Sequence, residues 1–231
     1  MNSSVTSKLS LVFCLLLLIT GCNRIRSISS GNSNGLIPVT TSTNPRGDLT
    51  KAMSAMLSAK SYRARMDSST SNGTKSRMIM EFVAPDRYHL TRESDLGGKG
   101  ISKQDTIIIG KDTFIKSGDT PWRKFPMNMG DLITQFRDPK VLDELSKGAE
   151  IKFIGPDLVN GAPTLVYQYS INLGQNKELK STAKTWVGVT DSLPRKTESE
   201  GDINMLGKQI HTKTNITYSD FNSNIRIEPP M

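Results

Sequence analysis

From residue 61 onward, apolar and polar side chains alternate. Tyr62, Ala64 and Met66 are interleaved with Arg63 and Arg65, and Met78, Met80 and Phe82 with Arg77 and Glu81. A period of two is the signature of a strand with one dry and one wet face. Between these two segments stands Asn72-Gly73, a pair suited to a tight hairpin turn. The same reading predicts strands at Arg87–Glu93, Asp105–Ile109, Thr113–Ser117, Trp122–Phe125, Ile151–Val159, Thr164–Asn172, Thr182–Thr190, Arg195–Glu200, Lys208–Tyr218 and Ile225–Ile227. Gly110, Gly118-Asp119 and Asn160-Gly161 supply turns between them. Two segments have helical spacing instead. Leu49, Ala52, Met53 and Met56 predict a short helix over about Asp48–Ala59, with Asp48 as its cap, and Met129–Lys147 predicts helix broken at Pro139.

About ten or eleven strands at hairpin spacing with few helices indicate a mainly β fold with an antiparallel sheet. Such a sheet has to hide its dry face, and two short helices cannot cover both sides. The expected solution is a strongly curved sheet forming an open half-barrel, plugged by the helices.

Residues 1–21 differ from the rest. Lys8 precedes an apolar run from Leu11 to Ile19, about half the ~20 residues a membrane-spanning helix requires, and the pattern is that of a secretory leader. The run ends in Ile19-Thr20-Gly21-Cys22, which resembles the lipobox of bacterial lipoproteins. The resemblance implies cleavage before Cys22 and lipidation of its thiol, and with Asn23 in place of Asp it implies the outer membrane, facing the periplasm, in a Gram-negative envelope. Residues 23–46 contain 16 Ser, Thr, Asn, Gly or Pro in 24 positions and read as a flexible tether. The expected organisation is therefore signal peptide 1–21, lipidated cysteine and tether 22–46, and one domain over 47–231.

Several stretches of that domain are similar to the LolA/LolB-like lipoprotein superfamily, which includes lipoprotein carriers, their outer-membrane receptor and mycobacterial lipid-binding lipoproteins. They are Phe82-Val83-Ala84-Pro85-Asp86-Arg87-Tyr88, Trp122-Arg123-Lys124, Trp186 to Lys196, Tyr218-Ser219-Asp220-Phe221 and Ile225 to Pro229. The resemblance spans roughly Asp48–Pro229 and implies an open β-barrel capped by helices around a cavity for acyl chains.

Composition narrows the chemistry. Without its leader the chain keeps 210 residues, a formal charge of +7 and one cysteine, the acylated one, which excludes disulfides, thiol nucleophiles and cysteine-ligated zinc. Nine methionines remain, and flexible thioethers suit a pocket for variable acyl chains as well as an ordinary core. The candidate cavity residues are Met66, Met78, Met80, Phe82, Leu90, Leu165, Tyr167, Tyr169, Val187 and Val189, all from one phase of the alternation. A slip of one residue would turn each set outward. Arg63, Arg65, Arg77, Arg87 and Arg92 either meet anionic headgroups or form a solvated outer face.

Enzyme patterns fail on context. Gly31-Asn32-Ser33-Asn34-Gly35 matches a nucleophile-elbow string but lies in the tether, and Ser181-Thr182-Ala183-Lys184 enters a strand without its companion motifs. Gly97-Gly98-Lys99-Gly100 lacks phosphate-loop spacing, and His89 and His211 stand alone. No cofactor or metal is called for, and the leader argues against nucleic acid as a partner. The expected protein is a noncatalytic, membrane-anchored envelope lipoprotein that binds a lipid or the acyl part of a lipoprotein. Its rival is a structural or assembly lipoprotein that binds an envelope protein through its surface.

Overall fold

In the computed structural model the described residues are 41–95, 100–136, 149–173, 179–205 and 208–230. Eleven antiparallel strands form one sheet: β1 (Ser61–Thr70), β2 (Lys75–Val83), β3 (Arg87–Asp95), β4 (Ile101–Ile109), β5 (Asp112–Ser117), β6 (Arg123–Phe125), β7 (Ile151–Val159), β8 (Ala162–Leu173), β9 (Leu179–Gly188), β10 (Pro194–Met205) and β11 (Lys208–Ser219). Their spatial order is β6-β5-β4-β3-β2-β1-β11-β10-β9-β8-β7. Two meanders, β1–β6 and β7–β11, are thus joined where the first strand pairs with the last. The sheet stays open at β6 and β7, giving the half-barrel expected from the pattern.

Local chemistry sets the turns. Asn160 and Gly161 both adopt positive φ, 50° and 79°, so the β7–β8 hairpin has the backbone twist that matches its strands. Asn72-Gly73 sits in the β1–β2 turn, with Gly73 at φ 87°.

Helix α1 (Pro45–Leu57) buries Leu49, Ala52, Met53 and Met56, the four positions its spacing marks. It starts three residues earlier than its apolar pattern indicates. Asn44, not Asp48, is the cap, and its Oδ1 accepts from the Gly47 amide at 3.0 Å, while Pro45 fits the first turn, where its missing N–H costs no helical bond. Asp48 serves tertiary structure instead, accepting hydrogen bonds from Ser42 Oγ at 2.5 Å and Tyr167 Oη at 3.0 Å. Helix α2 (Met129–Phe136) presses against the β4–β5 turn at Gly130, where a Cβ would lie 1.8 Å from the Gly110 carbonyl oxygen. The remainder of the Met129–Lys147 segment lies outside the described residues.

The core occupies the face of the sheet that carries the helices. Leu49 and Met56 of α1 and Ile133 of α2 pack with Tyr62, Met80, Phe82, Tyr88, Ile108 and Ile216. Ring contacts of Phe82 with Tyr62 and Tyr88, each at 5.1 Å between centroids, tie β1, β2 and β3 together. Ile225–Ile227 is not a strand. Both isoleucines are buried, but the segment is held by single contacts, such as Arg87 Nη1 donating to the Ile227 carbonyl at 2.7 Å. A tail crossing the sheet end cannot enter a ladder whose neighbouring positions are already paired.

Candidate functional site

Because the strands are in register, the inner face resolves into rows running across the sheet. One row reads Tyr88, Phe82, Tyr62; the next, Thr106, Leu90, Met80, Ala64, Tyr218; the next, Gln104, Arg92, Met78, Met66, Ile216, Thr197, Thr185, Tyr167. Then the chemistry changes. The following row is Ser102, Ser94, Ser76, Ser68, Thr214, Ser199, Ala183, Tyr169.

Six consecutive members of that row, Ser94 to Ala183, floor a cavity of about 780 Å³. The volume is within the usual range of ligand pockets. Its cause is residue size, since serine, threonine and alanine fill little space above the sheet where methionine and aromatic residues fill the adjoining rows. Ser94, Ser199 and Thr214 are buried, and Ser68 Oγ lies 3.1 Å from Thr214 Oγ1 across the β1–β11 seam. One row further out, the buried Thr212 hydroxyl has no hydrogen-bond partner among the described residues.

None of the ten sequence-derived candidates lines this cavity. Met66, Met78, Met80, Phe82, Leu90 and Tyr169 belong to the main core. Tyr167 and Val187 form a second cluster with Ala52 of α1, and Leu165 packs against it half-buried. Val189 lies just past the end of β9, half-buried in the turn, with its N–H donating to the Pro163 carbonyl at 3.1 Å. Tyr169 stands beside Ala183 of the floor, and Met66 and Met78 are each two residues along the strand from Ser68 or Ser76. Cys22 is outside the described residues, as is the Gly31–Gly35 string. A reading that followed apolar side chains missed the hydroxyl row, although the signal was present: Met66-x-Ser68, Ser76-x-Met78 and Thr214-x-Ile216 keep one phase while switching chemistry.

A chain of hydroxyls divides the two parts. Tyr169 Oη, Thr185 Oγ1 and Thr197 Oγ1 are spaced 3.2 and 3.0 Å apart, and Thr197 also bonds the Tyr218 side chain. Burial raises the pKa of Tyr169 and Tyr218. Tyr167 is raised too, first by burial and then by its bond to Asp48.

The arginines separate by face. Arg63 pairs with Glu81 and Asp220, and Arg65 and Arg77 both pair with Asp67, all on the outer side. Arg87 holds the C-terminal tail. Arg92 alone of the five takes the inner phase, between Leu90 and Ser94, with Nε donating to Ser94 Oγ at 3.1 Å. His89 is flanked by Glu81 and Asp105 at 3.3 and 3.7 Å, and His211 faces Asp202. Ser181–Lys184 lies within β9. Among the described residues no cluster of three metal-ligating side chains occurs, and no helix is long and apolar enough to cross a membrane.

No family model and no curated protein matches the chain. Solved structures do. Lipoprotein LppX of Mycobacterium tuberculosis superposes with a TM-score of 0.55 at 13% identity, over 78% of this chain and 96% of that one. MucB, solved in complex with MucA(peri), gives 0.37 at 12% identity over 75% and 55%, and the LolA superfamily protein NE2245 of Nitrosomonas europaea gives 0.27 at 11% over 78% and 95%. The LppX superposition covers nearly that whole protein, and the chain shares its fold.

Proposed function

We propose that this protein is a noncatalytic envelope lipoprotein that binds a lipid, or the acyl part of a lipoprotein, on the inner face of its half-barrel, with a role in lipid or lipoprotein transport towards the outer membrane. The observation that carries the reading is the 780 Å³ cavity across six strands, bordered by the apolar rows beneath α1. Each methylene taken from water onto that border contributes about 0.8 kcal/mol, so a long acyl chain binds without any ionic contact. Met66 and Met78 form the threshold between cavity and core. Met80, Phe82, Leu90, Leu165, Tyr167, Tyr169, Val187 and Val189 come within an acyl chain's reach as α1 gives way. Likeness to a lipoprotein fold supports the same reading.

Anchoring belongs to the proposal as well: Cys22 carries the lipid, residues 23 to about 44 tether the domain, and the site faces the periplasm. The test is native mass spectrometry and lipid extraction of Asn23–Met231 secreted behind an ordinary cleavable leader. Co-purified lipid, or uptake of a fluorescent fatty acyl probe, is the expected result. A ligand-free protein that takes up no probe sinks the lipid reading and leaves the surface-binding assembly role. Separately, Cys22→Ala is expected to abolish palmitate labelling and leave the precursor uncut, and unchanged cleavage would assign the leader to an ordinary signal peptidase.

A further inference from the structure

In the inner-phase rows that floor and border the cavity, Arg92 is the charged side chain; the other charged residues that line the cavity, such as Lys75, Arg77, Glu93 and Lys213, are of the opposite phase. Rows on either side of it hold only apolar, hydroxyl or amide groups, including Met78 and Gln104 directly across the two neighbouring strands. Other arginines of the first strands have carboxylate partners or a carbonyl. Arg92 has no carboxylate within ion-pair distance among the described residues. Its single hydrogen bond uses Nε, on Ser94 Oγ, and this places the guanidinium against the first hydroxyl of the cavity floor. The remaining guanidinium N–H groups have no acceptor among the described residues.

Arg92 stands at the border of the cavity, outside its lining but bonded to Ser94 of its floor, and a half-buried guanidinium there is costly to desolvate without a counter-charge. The hydroxyls of Ser94, Ser76, Ser68, Thr214 and Ser199 follow it in one line, each able to donate to an oxygen anion. The carboxylates that flank the floor, among them Asp67, Glu93 and Glu200, belong to the opposite phase, and each is held by an outer-face cation. The inner-phase positions therefore offer one cation and a row of hydroxyl donors, while the opposite-phase charges that also line the cavity are of both signs, Lys75, Arg77, Lys184 and Lys213 beside Asp67, Glu93, Asp95, Glu198 and Glu200. Phosphate and carboxylate are the groups that a guanidinium and neighbouring hydroxyls bind best.

We propose that Arg92 and the hydroxyl row bind the phosphate or carboxylate headgroup of an amphiphile whose acyl part lies towards Met66 and Met78. This deepens the lipid reading and rests on it. Arg92 selects charge, while the row positions the head above the seam.

The test compares probes that share one tail, dodecyl phosphate, dodecyl maltoside and dodecyltrimethylammonium, with inorganic phosphate as the tail-free arm. Binding to Asn23–Met231 is measured by titration calorimetry below micelle-forming concentrations. Dodecyl phosphate is expected to bind at least about tenfold tighter than either other amphiphile, the factor one charge-assisted hydrogen bond supplies. Arg92→Gln should abolish that preference, and Arg92→Lys should retain part of it. Arg65→Gln, on the outer face, should leave it intact, which separates a local contact from the protein's overall positive charge. Circular dichroism and melting confirm that each variant folds.

Equal binding of the three amphiphiles, or an anion preference that survives Arg92→Gln, overturns the headgroup site and leaves the lipid reading standing. No binding by any amphiphile overturns both. Inorganic phosphate binding as tightly as dodecyl phosphate, and lost in Arg92→Gln, keeps the anion site but assigns it to a free anion.

Discussion

Two regions of one sheet face, made from the same strands, have opposite character. Towards α1 the inward positions are Tyr62, Met80, Phe82, Tyr88 and Ile216, closely packed under a helix. A few residues further along, the inward positions are Ser68, Ser76, Ser94, Ser199 and Thr214, and no helix among the described residues fills the space above them. The first region gives the fold its stability, and the second leaves room for a ligand. Since the strands are continuous through both, rigidity in one holds the other open, an arrangement that suits binding because the cavity need not be formed at the moment of capture.

Substitutions that should hurt only one region sharpen this contrast. The largest effect is expected from Phe82→Ala, which removes a fully buried ring and both of its aromatic contacts. Urea denaturation should show a loss of about 3–5 kcal/mol. Tyr167→Phe, removing the hydroxyl that fastens β8 to Asp48 of α1, should cost about 1–2 kcal/mol, close to that of a hydrogen bond to a charged group. In the other region, Ser199→Ala should shift stability by no more than about 1 kcal/mol; a loss as large as that of Phe82→Ala would show that the row is core and break the comparison.

Between the regions lies the hydroxyl chain, and it should respond to alkali. Tyr169 and Tyr218 have folded pKa values above the ordinary 10.0. An unfolded tyrosine then ionises first, so stability is complete below about pH 10 and falls as the pH rises towards the folded values. Melting temperatures should drop steeply on that limb and less steeply in Tyr218→Phe. The smallest effect concerns the outer side of the hydroxyl region. Asp67 is held below the usual carboxylate range, first by its bond from Arg65, against a smaller effect of burial, and also by Arg77. Its contribution is present above the unfolded value of about 4 and lost as acid carries the pH through the folded one. Asp67→Asn should therefore differ from the parent at neutral pH, by about 1 kcal/mol at most for so exposed a group, and converge with it in acid.

Much of this was legible in the residues. Alternation placed Met66, Met78, Met80, Phe82, Leu90, Tyr167, Tyr169 and Val187 on the inner side, because burial on one face of a pleated strand imposes period two. What alternation does not reveal is which inward positions lie under a helix, since that depends on where α1 lands, and α1 lands on the bulky rows. The cavity consequently falls at serines and threonines whose polarity reads as exposure. Arg92 lies close in sequence to four other arginines, yet its phase, two residues from Leu90, places it inward. Asp48 precedes the apolar periodicity and so reads as the cap; Asn44 takes that role because Pro45 can begin a helix while contributing nothing to the apolar face. Ile225 and Ile227 alternate like a strand and are buried like one, but burial here comes from a tail crossing the sheet end.

The pairing of β1 with β11 has one more consequence. Ser68 and Thr214, neighbours in the cavity floor, are separated by 146 residues of chain. Each meander assembles from local hairpins, whereas the seam requires the ends of the domain to meet, the slower kind of event. Until β11 takes its place, the floor exists only as two unconnected halves, one on β1–β3 and the other on β9–β10. A chain without its last strand thus lacks a complete cavity floor, and the cavity exists only in molecules that have finished folding.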